Sequence, residues 1–346
     1  MNKKAIAGII IIAMVLSLSM VIGYAKPAKQ KVFNWRAQTY AVPGTIGFKT
    51  QAVALEHLKK VTGGRLNIKL NGVGTFVGPF QQLEACGKGL FEMVHNADAY
   101  NAGLDPGFAP IFSLIGLWDE PREVRIWIEK YGGKEIMAKT YAKYGVHYIG
   151  STLIGAEPIM SKVPLRTLKD FKGIKIRTPA GLTSMLFKKL GASPVPLGGS
   201  QIYTALDTGV IDAAEFVTLK EDYDAGLYEV TKYVLWPSFH GPIAVVNWGV
   251  NEKAWSKLPE DLKAALEMFV YEADAYYDYW SAAADYPALK KMVEKGLVHI
   301  RLSNEDYKKA KELSLEVALE YKKKSPLANE VITSIINYLK LTGKLK

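Results

Sequence analysis

The chain has 346 residues, a length that suits two lobes better than one small core. Hydrophobic residues make up 49% of it and charged residues 23%, which excludes a disordered or fibrous protein. The formal net charge is +10, but the lysines are scattered, so the charge indicates a solvated surface suited to anionic solutes and no nucleic-acid partner. The single cysteine, Cys86, excludes an intrachain disulfide.

The first 25 residues have the pattern of a secretory signal peptide. Lys3 and Lys4 precede an apolar run from residue 5 to residue 23, and small residues end that run. We expect cleavage after Ala25 and export of the remaining chain. The alternative is an uncleaved membrane anchor, because the run is nearly long enough to span a bilayer.

From residue 32 onward, strand patterns alternate with helix patterns. Predicted strands cover residues 32–39, 65–70, 91–97, 146–152, 173–178, 210–216, 242–251 and 297–303. Predicted helices cover residues 44–61, 79–88, 121–144, 180–190, 201–209 and about 260–284, and two more helices end the chain. Strands separated by helices predict parallel sheets built from βαβ units. We therefore expect an α/β protein whose two lobes are joined by several connections.

Enzyme motifs are incomplete in this sequence. The stretch "GGSQI" at 198–202 lacks the second glycine of a nucleophile elbow. The stretch "EACGKG" at 84–89 lacks the glycine and hydroxyl positions of a phosphate-binding loop. The five histidines are far apart and have no zinc spacing. The sequence therefore predicts neither an enzyme nor a resident metal or cofactor.

Two charged residues end strands that follow one another in the middle of the chain. Arg177 ends the strand in "GIKIRT", and Glu215 ends the strand in "VIDAAEF". In an open parallel sheet, the carboxyl ends of the strands share the edge where ligands bind. Arginine is suited to hold a carboxylate with two hydrogen bonds. The pattern alone leaves two alternatives, which are a ligand clamp and a structural ion pair.

A long motif surrounds these two residues. Residues 167–217 read "TLKDFKGIKIRTPAGLTSMLFKKLGASPVPLGGSQIYTALDTGVIDAAEFV". Together with "GGRLNIKL" at 63–70 and "VNEKAWSKLPEDLKAAL" at 250–266, the motif resembles the periplasmic substrate-binding proteins of TRAP (tripartite ATP-independent periplasmic) transporters, of the DctP type. The end of the motif is most similar to the branch that binds 2-oxo and 2-hydroxy monocarboxylates.

The resemblance implies a two-lobed periplasmic binding protein fold of the α/β class, with a long helix spanning both lobes. Lobe I would comprise residues 30–152 and about 243–275, and lobe II residues 153–242 and about 276–346. The implied function is a receptor in the periplasm that captures a small organic monocarboxylate between the lobes. It would deliver this acid to the TRAP membrane permease, as a monomer or a dimer. An exported carboxylate sensor is one alternative, and an exported hydrolase or lyase that uses Glu215 as a base is another.

The resemblance also implies which residues contact the ligand. The arginine of the family that binds the ligand carboxylate falls on Arg177, and the acid of the branch falls on Glu215. The other implied contacts are Phe216, Tyr100, Gln38, Phe76, Phe239 and His240.

The branch often uses a bound cation that bridges ligand and protein. Here Gly155 stands where the branch has a glutamine, and the segment "PSFHGP" at 237–242 has His240 in place of an acid. These two departures argue against a bridging metal, so no metal ligand is predicted. Glu215 would then accept a hydrogen bond from a ligand hydroxyl or balance Arg177. The small Gly155 would leave room for a larger acid.

Overall fold

The computed structural model describes residues 31–345, and the predicted signal peptide lies outside them. The strands are β1 (Phe33–Thr39), β2 (Leu66–Asn71), β3 (Met93–Ala97), β4 (Val146–Ile154), β5 (Ile159–Ser161), β6 (Lys175–Arg177), β7 (Ser193–Val195), β8 (Ala213–Glu215), β9 (Tyr233–Leu235), β10 (Ala244–Asn251) and β11 (Val298–Ile300). The α-helices are α1 (Ile46–Val61), α2 (Gln82–Gly87), α3 (Phe108–Phe112), α4 (Pro121–Lys130), α5 (Gly133–Ala142), α6 (Leu182–Lys189), α7 (Ile202–Asp207), α8 (Leu219–Asp224), α9 (Glu252–Trp255), α10 (Glu260–Glu294), α11 (Asn304–Tyr321) and α12 (Pro326–Leu341).

The strands form two mixed sheets. The first sheet has the order β2-β1-β3-β10-β4, and the second has the order β11-β9-β5-β8-β6-β7. The expectation of parallel sheets was wrong, because β10 is antiparallel to β3 and β4, and β5 is antiparallel to β8 and β9. Each of these two strands follows a strand of the other sheet in the chain, so no βαβ crossover sets its direction. The prediction of a two-lobed α/β fold is confirmed.

Local sequence signals place several helix ends. The Thr45 hydroxyl caps α1 by accepting a hydrogen bond from the backbone N–H of Phe48. Gly191, with φ of +84°, follows α6, as the sequence predicts. The start of α6 differs from the expected residue 180, because Gly181 adopts a φ of +106° and the helix begins only at Leu182.

Helix α10 is the long helix and connects the two lobes. Its 35 residues span about 52 Å at 1.5 Å per residue. It packs against α1 and β4 beside the first sheet and against α8 beside the second. The helix continues past Pro287, where a helical pattern usually ends, because Leu289 and Met292 are buried in the core of the second lobe.

The last two helices pack on different lobes. Helix α11 contacts α6 beside the second sheet, and α12 contacts α3 and α5 beside the first sheet. The lobe boundaries derived from the sequence stay a prediction. No helix within residues 31–345 combines the length and the apolar character that a membrane crossing requires.

A buried carboxyl lies where α1, α8 and α10 meet. Glu221 of α8 is 1% exposed and accepts a hydrogen bond from the Tyr277 hydroxyl of α10 at 2.9 Å. On α1, a Cβ at Gly47 would lie 2.7 Å from Glu221 Oε1, so the glycine makes room for the carboxyl. The pKa of Glu221 is raised from 4.5 to about 7. Burial is the largest cause, Asp224 and Asp285 also raise the pKa, and hydrogen bonds from Tyr277 and Thr45 lower it.

This carboxyl should make stability fall as the pH rises. Its folded-state pKa exceeds the unfolded value, so the folded state retains a proton that the unfolded state loses between about pH 4.5 and pH 7. The difference corresponds to about 3 kcal/mol of unfolding free energy, which is present below this window and lost above it. Glu221→Gln should remove this part of the pH dependence in urea unfolding measured at pH 4.5 and pH 8. An equal loss of stability in the variant and the wild type would contradict the assignment.

Candidate functional site

Arg177 and Glu215 lie side by side at the carboxyl edge of the second sheet. Strands β6 and β8 pair in parallel, with Arg177 opposite Ala214, so both strands end at the same edge. Arg177 Nη1 lies 3.6 Å from Glu215 Oε1, and each of the two side chains is only 2% exposed. The neighbourhood inferred from the strand pattern is therefore present in the structure.

The Arg177 guanidinium is fixed by three hydrogen bonds. It donates from Nε to the Leu197 carbonyl at 3.0 Å, from Nη1 to the Glu215 carbonyl at 2.6 Å and from Nη2 to the Tyr100 hydroxyl at 3.2 Å. The Phe216 ring lies beneath it, with the guanidinium carbon 5.4 Å from the ring centroid. Within the described residues, each terminal nitrogen uses one of its two N–H groups in these bonds. One N–H on each is left for an acceptor outside this set.

A small cavity adjoins Arg177, and the empty space there, including the part open to solvent, is about 340 Å³. Its wall is largely apolar and combines residues that follow strands of the first sheet with residues that follow strands of the second. The lining residues are Tyr40, Ala97, Ala99, Tyr100, Phe112, Ile154, Arg177, Pro179, Glu215, Phe216 and Val217. Apolar walls with a few convergent polar groups are typical of small-molecule sites. The arginine and the glutamate are the charged groups in this wall.

Phe216 also lines a second space, whose empty volume, including the part open to solvent, is about 860 Å³. The ring packs against Gly199, where a Cβ would lie 2.4 Å from the Phe216 ring. A larger residue at position 199 would therefore displace the ring. The position of Phe216 in the wall of the cavity beside Arg177 thus depends on a glycine at position 199.

Behind Glu215 lies a cluster that we call the Glu–Glu–His cluster: Glu157, Glu215 and His240. His240 Nε2 is 3.5 Å from Glu157 Oε2 and 4.0 Å from Glu215 Oε2, and all three residues are at most 3% exposed. Glu157 follows β4 on the chain segment that crosses between the lobes, and its backbone N–H donates to the Gly241 carbonyl. A Cβ at Gly241 would lie 2.6 Å from Glu157 Oε2, so that glycine makes room for the carboxyl.

The hydrogen bonds around His240 assign its tautomer. The Ser238 hydroxyl donates its proton to the Glu157 carbonyl oxygen, and the same hydroxyl oxygen lies 2.9 Å from His240 Nδ1. Nδ1 must therefore carry the proton and donate it to Ser238. In the neutral ring, Nε2 then presents a lone pair to the two carboxyl groups. The cluster consequently brings three hydrogen-bond acceptors together.

Burial shifts the proton equilibria of the cluster. It raises the pKa of Glu157 and of Glu215, and the Glu157 carboxyl raises the pKa of Glu215 further, while Arg177 lowers both. Burial lowers the pKa of His240 to about 4, so its ring is neutral at pH 7. The cluster therefore holds protons at neutral pH in place of two full negative charges.

The structure brings some of the sequence-predicted contacts together and leaves others apart. Tyr100 and Phe216 line the cavity with Arg177 and Glu215, and His240 lies behind Glu215. Three other residues are not among the lining residues: Gln38, Phe76 and Phe239.

These three residues have other partners. The Gln38 amide is fully buried, accepts from the backbone N–H of Phe76 and donates to the Val77 carbonyl, so it fixes a loop. Phe76 stacks on Phe91, with ring centroids 5.4 Å apart. Phe239 packs among core aromatic rings. Their role as ligand contacts stays a prediction.

Sequence reasoning missed Glu157. The residue lies in the segment "LIGAEPIM" at 153–160, where only Gly155, in place of a glutamine, was singled out. An acid directly before a proline, in the loop that follows β4, was an available signal. A Cβ at Gly155 would meet no atom within 4 Å, but Gly155 does not line the cavity beside Arg177, so room for a larger acid there stays a prediction.

The sequence of this chain matches a known protein family. The model of the family described as "Bacterial extracellular solute-binding protein, family 7" (DctP) matches residues 39–324. A monocarboxylate 2-oxoacid-binding periplasmic protein of Nostoc sp. is 28% identical over 301 residues, which cover 86% of this chain and 82% of that protein.

Solved structures have the same fold. A TRAP periplasmic solute-binding protein of Rhodobacter sphaeroides, in an apo open form, has a TM-score of 0.72 and 30% identity, covering 90% of this chain and 99% of that one. One of Pseudoalteromonas atlantica, with bound sodium and pyruvate, has a TM-score of 0.81 and 24% identity, covering 90% and 95%. The family match extends over most of the chain and includes the strands that carry Arg177 and Glu215. This chain therefore belongs to the bacterial extracellular solute-binding proteins of family 7, the DctP family of TRAP transporter receptors, which bind solutes and are not enzymes.

Proposed function

We propose that this chain captures a small organic monocarboxylate with Arg177 and delivers it to the membrane permease of a TRAP transporter. The observation that carries the proposal is the guanidinium at the cavity wall, which retains one N–H on each terminal nitrogen. These two N–H groups match the two oxygens of a carboxylate. An anion in this largely apolar cavity would pair with a charge that is otherwise costly to bury.

The composition of the cavity wall supports capture by closure of the lobes. Tyr40 follows β1 and Ile154 ends β4 in the first sheet, and Phe216 follows β8 of the second sheet. A ligand between them would touch both lobes and favour the closed arrangement over an open one. We also propose hinge connections near residues 153 and 243, as the boundaries inferred from the sequence imply. Those boundaries place α12 in lobe II, although α12 packs beside the first sheet.

A bridging sodium or calcium ion does not fit the Glu–Glu–His cluster well. Calcium is bound by six to eight oxygen atoms, and hard cations in general prefer oxygen ligands. The cluster offers two carboxyl groups and an imidazole nitrogen whose lone pair faces them. The ligand capture that we propose for this chain therefore involves no such ion.

The proposed location follows from the family and the start of the chain. The Nostoc relative is a periplasmic protein, and the family is described as extracellular. We propose that residues 1–25 act as a signal peptide and are removed on export to the periplasm. Detection of a mature N-terminus at Lys26 by mass spectrometry would support this.

A carboxylate sensor is the second candidate, since sensing and transport use the same capture step. The relatives named above favour transport. The proposed permease partner distinguishes the two functions, because only transport requires uptake of the bound acid into cells.

The ligand itself provides the test of the receptor function. We expect the protein purified from its exported form to carry an organic acid with one carboxylate, released by denaturation and identified by mass spectrometry. The Arg177→Ala variant prepared in parallel should carry none of it. A co-purified ligand without a carboxylate, or equal amounts in both proteins, would contradict the proposal.

A further inference from the structure

The Glu–Glu–His cluster has more acceptors than the protein satisfies. Within the described residues, Glu157 Oε1, Glu215 Oε1 and His240 Nε2 are buried and have no hydrogen-bond partner. Leaving such groups unpaired costs roughly 1–3 kcal/mol each. No side chain of the described residues donates a hydrogen bond to these three atoms. The cluster is therefore suited to a group that brings several donors at once.

The cluster is compact: His240 Nε2 lies 3.5 Å from Glu157 Oε2 and 4.0 Å from Glu215 Oε2, somewhat closer than the acceptors around a protonated amine. One ligand atom from each residue can be chosen so that all lie within 4.8 Å of one another. An ammonium group has three N–H donors directed to the corners of a tetrahedron, so acceptors 2.8 Å from its nitrogen lie about 4.6 Å apart. The cluster thus provides one acceptor for each N–H.

The charge balance of the site points in the same direction. Two buried carboxyl groups, Glu157 and Glu215, lie next to one buried cation, Arg177. Asp222, a third acid near them, is also fully buried. At neutral pH the two carboxyl groups hold protons, so a ligand carboxylate balances Arg177. An ammonium group that binds the cluster can replace one of these protons without adding unbalanced buried charge, which is costly.

Arg177 and Glu215 also present the two charges close together. Both residues line the same cavity, and Arg177 Nη1 lies 3.6 Å from Glu215 Oε1. A ligand that faces both must carry its carboxylate and its amine on neighbouring atoms, as an α-amino acid does. The remaining wall includes Phe112, Ile154 and Val217, which would contact an apolar side chain.

We propose that the ligand is an α-amino acid with an apolar side chain, whose carboxylate binds Arg177 and whose ammonium binds Glu215 with Glu157 and His240 behind it. The proposal rests on the receptor function proposed above and narrows its ligand class. It assigns Glu157 and His240 as residues that select an amine over a keto or hydroxyl group.

Matched ligands test the proposal directly. Isothermal titration of the mature protein, freed of co-purified ligand, would compare valine, leucine and phenylalanine with the 2-oxo and 2-hydroxy acids of the same carbon skeleton. We expect at least one amino acid to bind about tenfold or more tightly than both of its analogues. Tighter binding of the oxo or hydroxy acids would overturn the inference and leave the receptor function intact. Binding of none of the compounds would overturn the inference, and the co-purified ligand would then decide the receptor function.

A variant that keeps the shape of the side chain tests whether Glu157 recognises the amine. Glu157→Gln keeps the shape of the side chain but removes its charge and adds a donor, so it should weaken amino-acid binding about tenfold or more. The affinity of the same variant for the matched hydroxy acid should stay unchanged, which also shows that the variant is folded. Glu272→Gln, at a surface carboxylate paired with His57, is the matched control and should alter neither affinity. Equal weakening of both ligands by Glu157→Gln would contradict amine recognition.

Two further experiments distinguish a bound amine from a bound metal ion or proton in the cluster. The titrations are repeated with EDTA and with added Ca²⁺ or Zn²⁺. Amino-acid binding should be unchanged, and binding that requires the added ion would assign the cluster to a metal and overturn the proposal. Titration in buffers of different ionisation enthalpy should show release of about one proton as the ammonium replaces the proton held by the cluster. Absence of proton release would also count against the ammonium.

Discussion

Arg177→Ala should weaken binding of the ligand by a hundredfold or more. Truncating one partner of a buried, hydrogen-bonded charge pair costs about 2–5 kcal/mol, much of it because the other charge is left buried without a partner. The Arg177 side chain is 2% exposed, so water cannot replace the lost guanidinium at the carboxylate. Isothermal titration with the acid identified by mass spectrometry measures this effect.

Arg177→Lys separates charge from geometry. Lysine keeps the positive charge, but it cannot hold two carboxylate oxygens with a planar pair of N–H groups or donate to Leu197 and Tyr100 at the same time. We expect it to recover only part of the lost affinity. Arg36→Ala, at an arginine that is 49% exposed, is the control and should bind as the wild type does. Wild-type affinity in Arg177→Ala would refute the clamp.

Trp248→Ala should lower the free energy of unfolding by about 3–5 kcal/mol, as is typical for a fully buried tryptophan. Trp248 is 0% exposed in β10, which lies between β3 and β4 in the first sheet. Its ring stacks on His95 of β3, with centroids 4.0 Å apart, and meets Phe269 of α10 edge to face at 5.1 Å. Removing the ring leaves a cavity between the sheet and the long helix, which urea unfolding would detect.

Helix α10, which packs against Trp248, supplies a matched control. Trp280 of α10 is 41% exposed, so Trp280→Ala removes the same number of atoms from a position that water already reaches. Its effect should stay below about 1 kcal/mol. If both variants unfolded at the same urea concentration, the packing between sheet and helix would not be the source of stability described above.

The long helices, the long strands and the two-lobed α/β class were predictable from the sequence because periodicity is clear over many residues. Strands β5, β7 and β9 were not predicted, although β6, β8 and β11, which are equally short, were predicted as parts of longer alternating stretches. The direction of β5 and β10 was also beyond pattern reasoning. It depends on where the chain returns after crossing to the other lobe.

The candidate site also has residues that the sequence placed together and residues that it did not. Arg177 and Glu215 could be placed together from the sequence, because parallel neighbouring strands end at one edge and the surrounding motif is long. Glu157 and His240 belong to separate crossing segments that meet only in the folded chain. Gln38, by contrast, lies near the end of β1 and was predicted to contact the ligand. Its amide instead hydrogen-bonds to the backbone of Phe76 and Val77.

The sequence by itself therefore determined the family, the class of fold and the arginine at the strand edge, because these depend on local periodicity and on a continuous motif. Only the tertiary structure decided which acceptors surround Glu215. Their positions depend on Ser238 fixing the His240 ring and on Gly241 making room for Glu157. These contacts form between distant segments, and no spacing within one stretch of sequence encodes them.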